Sequence, residues 1–231
     1  MGGQACVLYG AAEFSRDIDL HILLEDKTVG IFNELIVLLN AEVIAVPGFD
    51  RKYLDAGHAI HFRTKHPDVD NLRIDIMSKM RGVPEFTTLW GRRSTLELKD
   101  GTPINLLSLP DLVLAKKTQR DKDWPMIRRL IEADYYNIVN SNQAPNLDKI
   151  KFWLKELRTA QLLIDLAYTY KELTLKSEPI RPLLKFADLN DVDQLENALQ
   201  EEEAIERKKD KEYWKPLKLE LEKLRHERRL G

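Results

Sequence analysis

With Cys6 as its single cysteine, the chain cannot close an intramolecular disulfide, which fits a reducing compartment. Long apolar runs are also missing. The strongest candidate, Ile31–Val46, is broken by Asn33, Glu34, Asn40 and Glu42, well short of the ~20 apolar residues a spanning helix needs. No cationic segment followed by an apolar run stands at the N-terminus, so no secretory signal is expected. Nor is there an excess of one charge: 36 Lys and Arg face 38 Asp and Glu, a formal net of −2. That balance excludes a generally basic nucleic-acid coat, although a local basic patch is still allowed. The expectation is a soluble, cytoplasmic protein without membrane association. Its 231 residues, 43% of them hydrophobic, suffice for one large domain or two small ones.

Composition changes near residue 108. Before it the pattern is of short strands and helices. Ile18, Leu20 and Ile22 alternate with Asp17, Asp19 and His21, the period of a half-buried strand. Gly2–Ala12 reads as a helix opening behind two glycines, and Val29–Leu39 has helical spacing. Glu42–Val46, His58–Thr64 and Leu72–Met77 read as strands, and Ser94–Leu98 with Ile104–Leu107 as a hairpin across Asp100-Gly101. Ser108-Leu109-Pro110-Asp111 is a helix-start signal. Helical patterns follow at 111–117, 124–134, 147–157, 159–173 and 192–199, and from 202 to 226 with a break expected at Pro216. The fold class expected is α+β, a small mixed sheet with flanking helices over residues 1–107, followed by an all-helical region over 108–231.

The chemistry concentrates in Ser15-Arg16-Asp17-Ile18-Asp19-Leu20 and in Leu72-Arg73-Ile74-Asp75-Ile76-Met77. Alternate residues of a strand share a face, so Asp17 and Asp19 project together while Ile18 and Leu20 enter the core. If the two strands are neighbours, Asp75 joins them. Two like charges ~4 Å apart cost about 4 kcal/mol at an effective dielectric near 20. Such a patch calls for a cation or a proton, and carboxylate oxygens select Mg²⁺ or Mn²⁺ over zinc. Two such ions are a recurrent device for in-line displacement at phosphorus. Gly2-Gly3 before a helix leaves backbone N–H groups open to a phosphate, and Ser15 adds a hydroxyl donor.

Gly2-Gly3, a gap of thirteen residues, Asp17-x-Asp19 behind Ser15-Arg16, and a distant Asp75 on an apolar strand resemble the DNA polymerase β-type nucleotidyltransferase superfamily. Within it the chain is most similar to the bacterial minimal nucleotidyltransferases and the AbiEii-like toxin group, over roughly Gly2–Leu130. The resemblance implies that Asp17, Asp19 and Asp75 are catalytic and bind Mg²⁺ or Mn²⁺. Gly2, Gly3, Ser15 and Arg16 would hold a nucleoside triphosphate, and Lys116 or Arg120 would neutralise it. The implied reaction moves a nucleoside monophosphate to a hydroxyl of tRNA or of a partner protein, in a toxin–antitoxin or defence setting. The family places a strand before the glycine pair, whereas Met1 alone precedes Gly2 here. A late-assigned start or a lost edge strand would explain this. A catalytically inactive binding or regulatory module of the same fold is the alternative.

Other signals read as structural. Lys116–Arg129 carries six basic and two acidic residues, a local +4, and reads as a phosphate or RNA-backbone contact or as an ordinary ion-paired helix face. The tail from Glu201 has ten basic and nine acidic residues, as expected of a solvated helix with i,i+4 pairs. His58 and His61, three apart, point to opposite faces of a strand and suggest no metal site. Cys6 and the four tryptophans read as packing residues.

Overall fold

The computed structural model describes residues 1–141 and 143–230. The chain divides into two compact units, the first formed by Met1–Leu8, Ala12–Ala115 and the chain from Asp210 on, the second by Tyr9–Ala11 and Lys116–Lys209. The change from strands to helices lies near residue 108, as the composition suggests, but the contacts divide the chain at Ala115/Lys116 and return its last stretch to the first unit.

The first unit holds α1 (Gly2–Leu8), β1 (Asp17–His21), α2 (Asp26–Leu38), β2 (Glu42–Val43), α3 (Arg51–Ala56), β3 (Ile60–Arg63), β4 (Arg73–Met77), α4 (Phe86–Gly91), β5 (Ser94–Glu97), β6 (Pro103–Leu106) and most of α5 (Leu109–Lys116). Four strands form a mixed sheet in the order β1-β4-β3-β2, with β1 parallel to β4 and the other pairs antiparallel. β5 and β6 make a separate hairpin across the expected Asp100-Gly101 turn. The alternation in β1, β3 and β4 sends Ile60, Phe62 and Ile76 to one face, where they bury with Ile22 and Leu54 and gather Leu20, Phe32, Ile36 and Ile74 around them. The other face keeps the polar residues. At Ser108 the hydroxyl accepts from the Asp111 N–H at 3.3 Å, starting α5 as its sequence predicts. Asp111, however, is fully buried rather than solvated, and Arg92 donates to it from Nε at 2.7 Å.

The second unit is helical: α6 (Asp123–Asn140), α7 (Leu147–Glu156), α8 (Ala160–Thr169), α9 (Lys171–Ser177), α10 (Leu184–Asp188) and the first part of α11 (Val192–Leu230). Buried Arg181 ties it together. It donates to the backbone oxygens of Leu154 and Leu157 at the end of α7, and to both carboxylate oxygens of Glu202. Those helix-terminal carbonyls have no intrahelical partner, so a cation there is favoured.

Three sequence expectations need correction, the first being that the patterns at 192–199 and 202–226 form one helix, α11. The helix expected at 159–173 is two, because Tyr170 leaves helical geometry (φ −121°, ψ 49°) and α9 turns back to pack on α7 and α8. The break expected at Pro216 does not occur, and α11 runs through it. Around that proline the helix is held from the side: Asp210 pairs with Arg81, Leu217 is buried, and Glu220 lies 2.8 Å from the buried His58 Nε2. Tertiary contacts of this kind outweigh the ~3 kcal/mol a mid-helix proline costs. The short helices α3, α4 and α10 had no periodic signature in the sequence.

Among the described residues no helix is long and apolar enough to cross a membrane. Ile76 is fully buried between the two core strands, so Ile76→Ala is expected to destabilise the first unit by about 2–5 kcal/mol, read by urea denaturation.

Candidate active site

The sheet register brings the predicted carboxylates to one face. Asp19 is the Cα partner of Asp75, Asp17 that of Arg73, and His61 on β3 faces Asp75 from the other side. Neighbouring strands lie about 4.8 Å apart, so Asp17, Asp19, Arg73, Asp75 and His61 form one polar patch, with Asp75 at its centre.

The glycine pair lies against this patch. Gly2 has φ +66°, and a Cβ there would come within 1.8 Å of Asp19 Oδ2; one on Gly3 would come within 2.3 Å of Ser15 Oγ. Only residues without a side chain let the backbone approach β1 this closely. The Gly3 N–H donates to Asp19 Oδ2 at 3.3 Å, and Ser15 Oγ donates to the Asp17 backbone oxygen at 3.2 Å. Arg16 is exposed, its guanidinium 5.9 Å from the Phe14 ring centroid.

Asp75 is nearly buried and fully engaged. Arg73 donates from Nε to Oδ1 and from Nη2 to Oδ2, both at 2.9 Å, and His61 Nδ1 lies 2.8 Å from Oδ1. Burial pushes the Asp75 carboxyl up, but the hydrogen bonds and charges of His61 and Arg73 together bring it below the usual carboxylate range. The Asp75 hydrogen bond in turn holds the Arg73 guanidinium above its ordinary value. Asp75 therefore stays ionised at neutral pH.

Among the described residues no three His, Cys, Asp or Glu side chains are gathered so as to hold a metal ion. The all-oxygen donors suit Mg²⁺ or Mn²⁺ in chemistry, with Asp17 and Asp19 as the half-exposed pair. Asp75 can join them only by exchanging its ion pair with Arg73.

Lys116 and Arg120 belong to the second unit, where both pair with the buried Asp123, at 3.2 and 2.6 Å. Burial pushes the Asp123 carboxyl up, and Lys116, Thr118 and Arg120 together bring it below its ordinary value. Lys117 pairs with Glu156 and Arg128 with Glu132, so ion pairs account for four of the six basic residues in this segment.

No protein-family model matches this chain, and neither does any curated protein or solved structure.

Sequence reasoning missed Arg73 and His61. The signal for Arg73 was its i,i+2 relation to Asp75, the rule that paired Asp17 with Asp19. Spacing along the chain relates His61 to His58 alone, and its place beside Asp75 needs the β3–β4 register. At the end of β1, His21 stacks on Phe86 (5.6 Å between centroids, 23° between planes), and Phe86 on Trp90 (5.6 Å, 17°). Burial lowers the pKa of the His21 imidazole, partly offset by a hydrogen bond with the Ser78 backbone.

An Asp whose folded pKa is depressed adds stability that is present above its unfolded value, near 3.9, and is lost as pH falls through the folded value. Arg73→Ala is therefore expected to cost about 1–3 kcal/mol at pH 7, a loss that shrinks as pH falls below the usual carboxylate range and Asp75 takes a proton. Urea denaturation of both proteins across pH 3–7 checks the sign; a loss independent of pH would count against this account.

Proposed function

We propose that the chain is a metal-dependent nucleotidyltransferase, transferring a nucleoside monophosphate from a nucleoside triphosphate to an acceptor hydroxyl. The observation that carries this reading is the parallel pairing of β1 with β4, which sets Asp19 against Asp75 with the side-chain-free Gly2 packed on Asp19. In the reaction the acceptor oxygen bonds to the α-phosphorus, the bond from that phosphorus to the bridging oxygen breaks, and pyrophosphate leaves. Asp17 and Asp19 would hold Mg²⁺ or Mn²⁺, with Asp75 completing the set once released from Arg73. A bound ion would offset phosphate charge and acidify the acceptor hydroxyl. Once released from Arg73, Asp75 would assist removal of the acceptor proton. Gly2 and Gly3 present backbone to the triphosphate, and Ser15 and Arg16 add a hydroxyl and a positive charge beside it. The reading draws on the first unit alone. The acceptor classes are a tRNA end or a protein hydroxyl, in a toxin–antitoxin or defence role.

One observation favours a second reading, a non-catalytic binding module on the same fold. Because Arg73 and His61 satisfy Asp75, the repulsion among the carboxylates is relieved without any metal.

Incubation with each labelled nucleoside triphosphate, Mg²⁺ and either total tRNA or cell lysate separates the two. Label transfer is expected, and Asp17→Ala should lower it by roughly a hundredfold or more while leaving the thermal midpoint close to wild type. Gly2→Ala, whose methyl would overlap Asp19, should abolish transfer too. No transfer with any of the four nucleotides leaves the binding module.

A further inference from the structure

The polar patch of β1 runs on into an aromatic cleft. His21 follows Asp19 by two residues on the same strand face, about 7 Å further along β1. There it begins a ladder of near-parallel rings, His21–Phe86–Trp90, the last two placed one helical turn apart on α4. Centroid separations of 5.6 Å exceed the ~3.5–4.0 Å of direct carbon contact, so the rings are slipped past one another and each leaves part of its face uncovered. Trp90 is 46% exposed, unusual for the largest side chain in this part of the molecule.

These rings line a cleft of about 120 Å³ together with Leu89 and Leu106. A cleft of that size admits a single planar ring system. The polar side chains at its rim are fixed in place. Arg93 lies 4.1 Å from the Trp90 ring centroid, and its Nε donates to Asn105 Oδ1 at 3.0 Å. Thr95 Oγ1 donates to the same oxygen at 2.9 Å, so Asn105 is left with its amide N–H groups to offer a ligand. Flat apolar faces, one stacked cation and one amide donor make a surface for an aromatic heterocycle bearing hydrogen-bond acceptors.

We propose that this cleft is a nucleobase subsite, taking the base of the nucleoside triphosphate whose phosphates lie against Asp17, Asp19 and the glycine pair; the inference rests on the nucleotidyltransferase reading. The base packs on the uncovered parts of the Trp90 and Phe86 rings, beside the Arg93 guanidinium, and Asn105 donates to a ring nitrogen or carbonyl. Stacking tolerates every base, so Trp90 sets affinity for nucleotides as a class.

Calorimetric titration of the full chain in Mg²⁺ with each nucleoside triphosphate, with inorganic tripolyphosphate and with a short single-stranded RNA tests this. Trp90→Ala should weaken nucleotide binding roughly tenfold or more and leave tripolyphosphate binding unchanged, while Trp90→Phe should keep most of the affinity. Unchanged nucleotide affinity in Trp90→Ala, an equal loss for tripolyphosphate, or no nucleotide binding by the wild-type chain would overturn the proposal. So would a loss confined to the RNA, which would make the cleft an acceptor site. If Trp90→Ala weakens nucleotide binding but Asp17→Ala changes neither nucleotide nor tripolyphosphate affinity, the cleft stands and the carboxylate reading fails.

Discussion

Pairing of β1 with β4 in one register is the constraint on which the molecule's chemistry rests. Side chains alternate with a period of two, so a slip of β1 by one residue would carry Ile18 and Leu20 to the polar face and turn Asp17 and Asp19 toward the core. The hydrophobic cluster around Ile60, Phe62 and Ile76 therefore fixes the aspartates as surely as any contact among them. Burial of the isoleucines stabilises the register, and the carboxylates are brought together as a consequence. Folding and site geometry are thus one problem, and substitutions in the apolar layer beneath the patch should be felt above it.

Electrostatics on that face are balanced within the chain. Three carboxylates on adjacent strand positions repel, and Arg73 meets the repulsion where it is worst, at the nearly buried Asp75, with His61 beside it. Two hydrogen bonds from one planar guanidinium make this a directional pair rather than a diffuse attraction. A divalent ion entering the patch would compete with Arg73 for the same oxygens.

Much of this was legible in the sequence because it follows from period-two alternation and turn chemistry. Asp17-Ile18-Asp19-Leu20 and Arg73-Ile74-Asp75-Ile76 announce strands with one polar face, and the Asp100-Gly101 hairpin and the Ser108 helix start lie where local chemistry puts them. Which strands are neighbours is set by tertiary packing and could only be assumed. Hence His61, brought to Asp75 by antiparallel pairing of β3, was not recognised, and neither was the stack from His21 to Trp90, which joins a strand to a helix more than sixty residues away. Pro216 failed as a helix breaker for the same reason, since its local penalty is offset by side chains contributed from elsewhere in the first unit. Charge counting over Lys116–Arg129 leaves a phosphate contact and an ion-paired face both open, because counting cannot see that Asp123 is buried against Lys116 and Arg120 or that Glu156 pairs with Lys117.

β1 is also an outer strand of its sheet, covered at Asp19, whose backbone oxygen accepts from the Met1 amine at 2.8 Å. An outer strand offers a row of backbone donors and acceptors to any other chain in extended form, the usual route to edge-to-edge aggregation. Here that strand reads Asp-Ile-Asp-Leu-His, and two copies laid side by side along it would set aspartates against aspartates across the new seam. The two aspartates thus also make the strand a poor template for itself, so the charges that crowd the polar face guard the edge beside it.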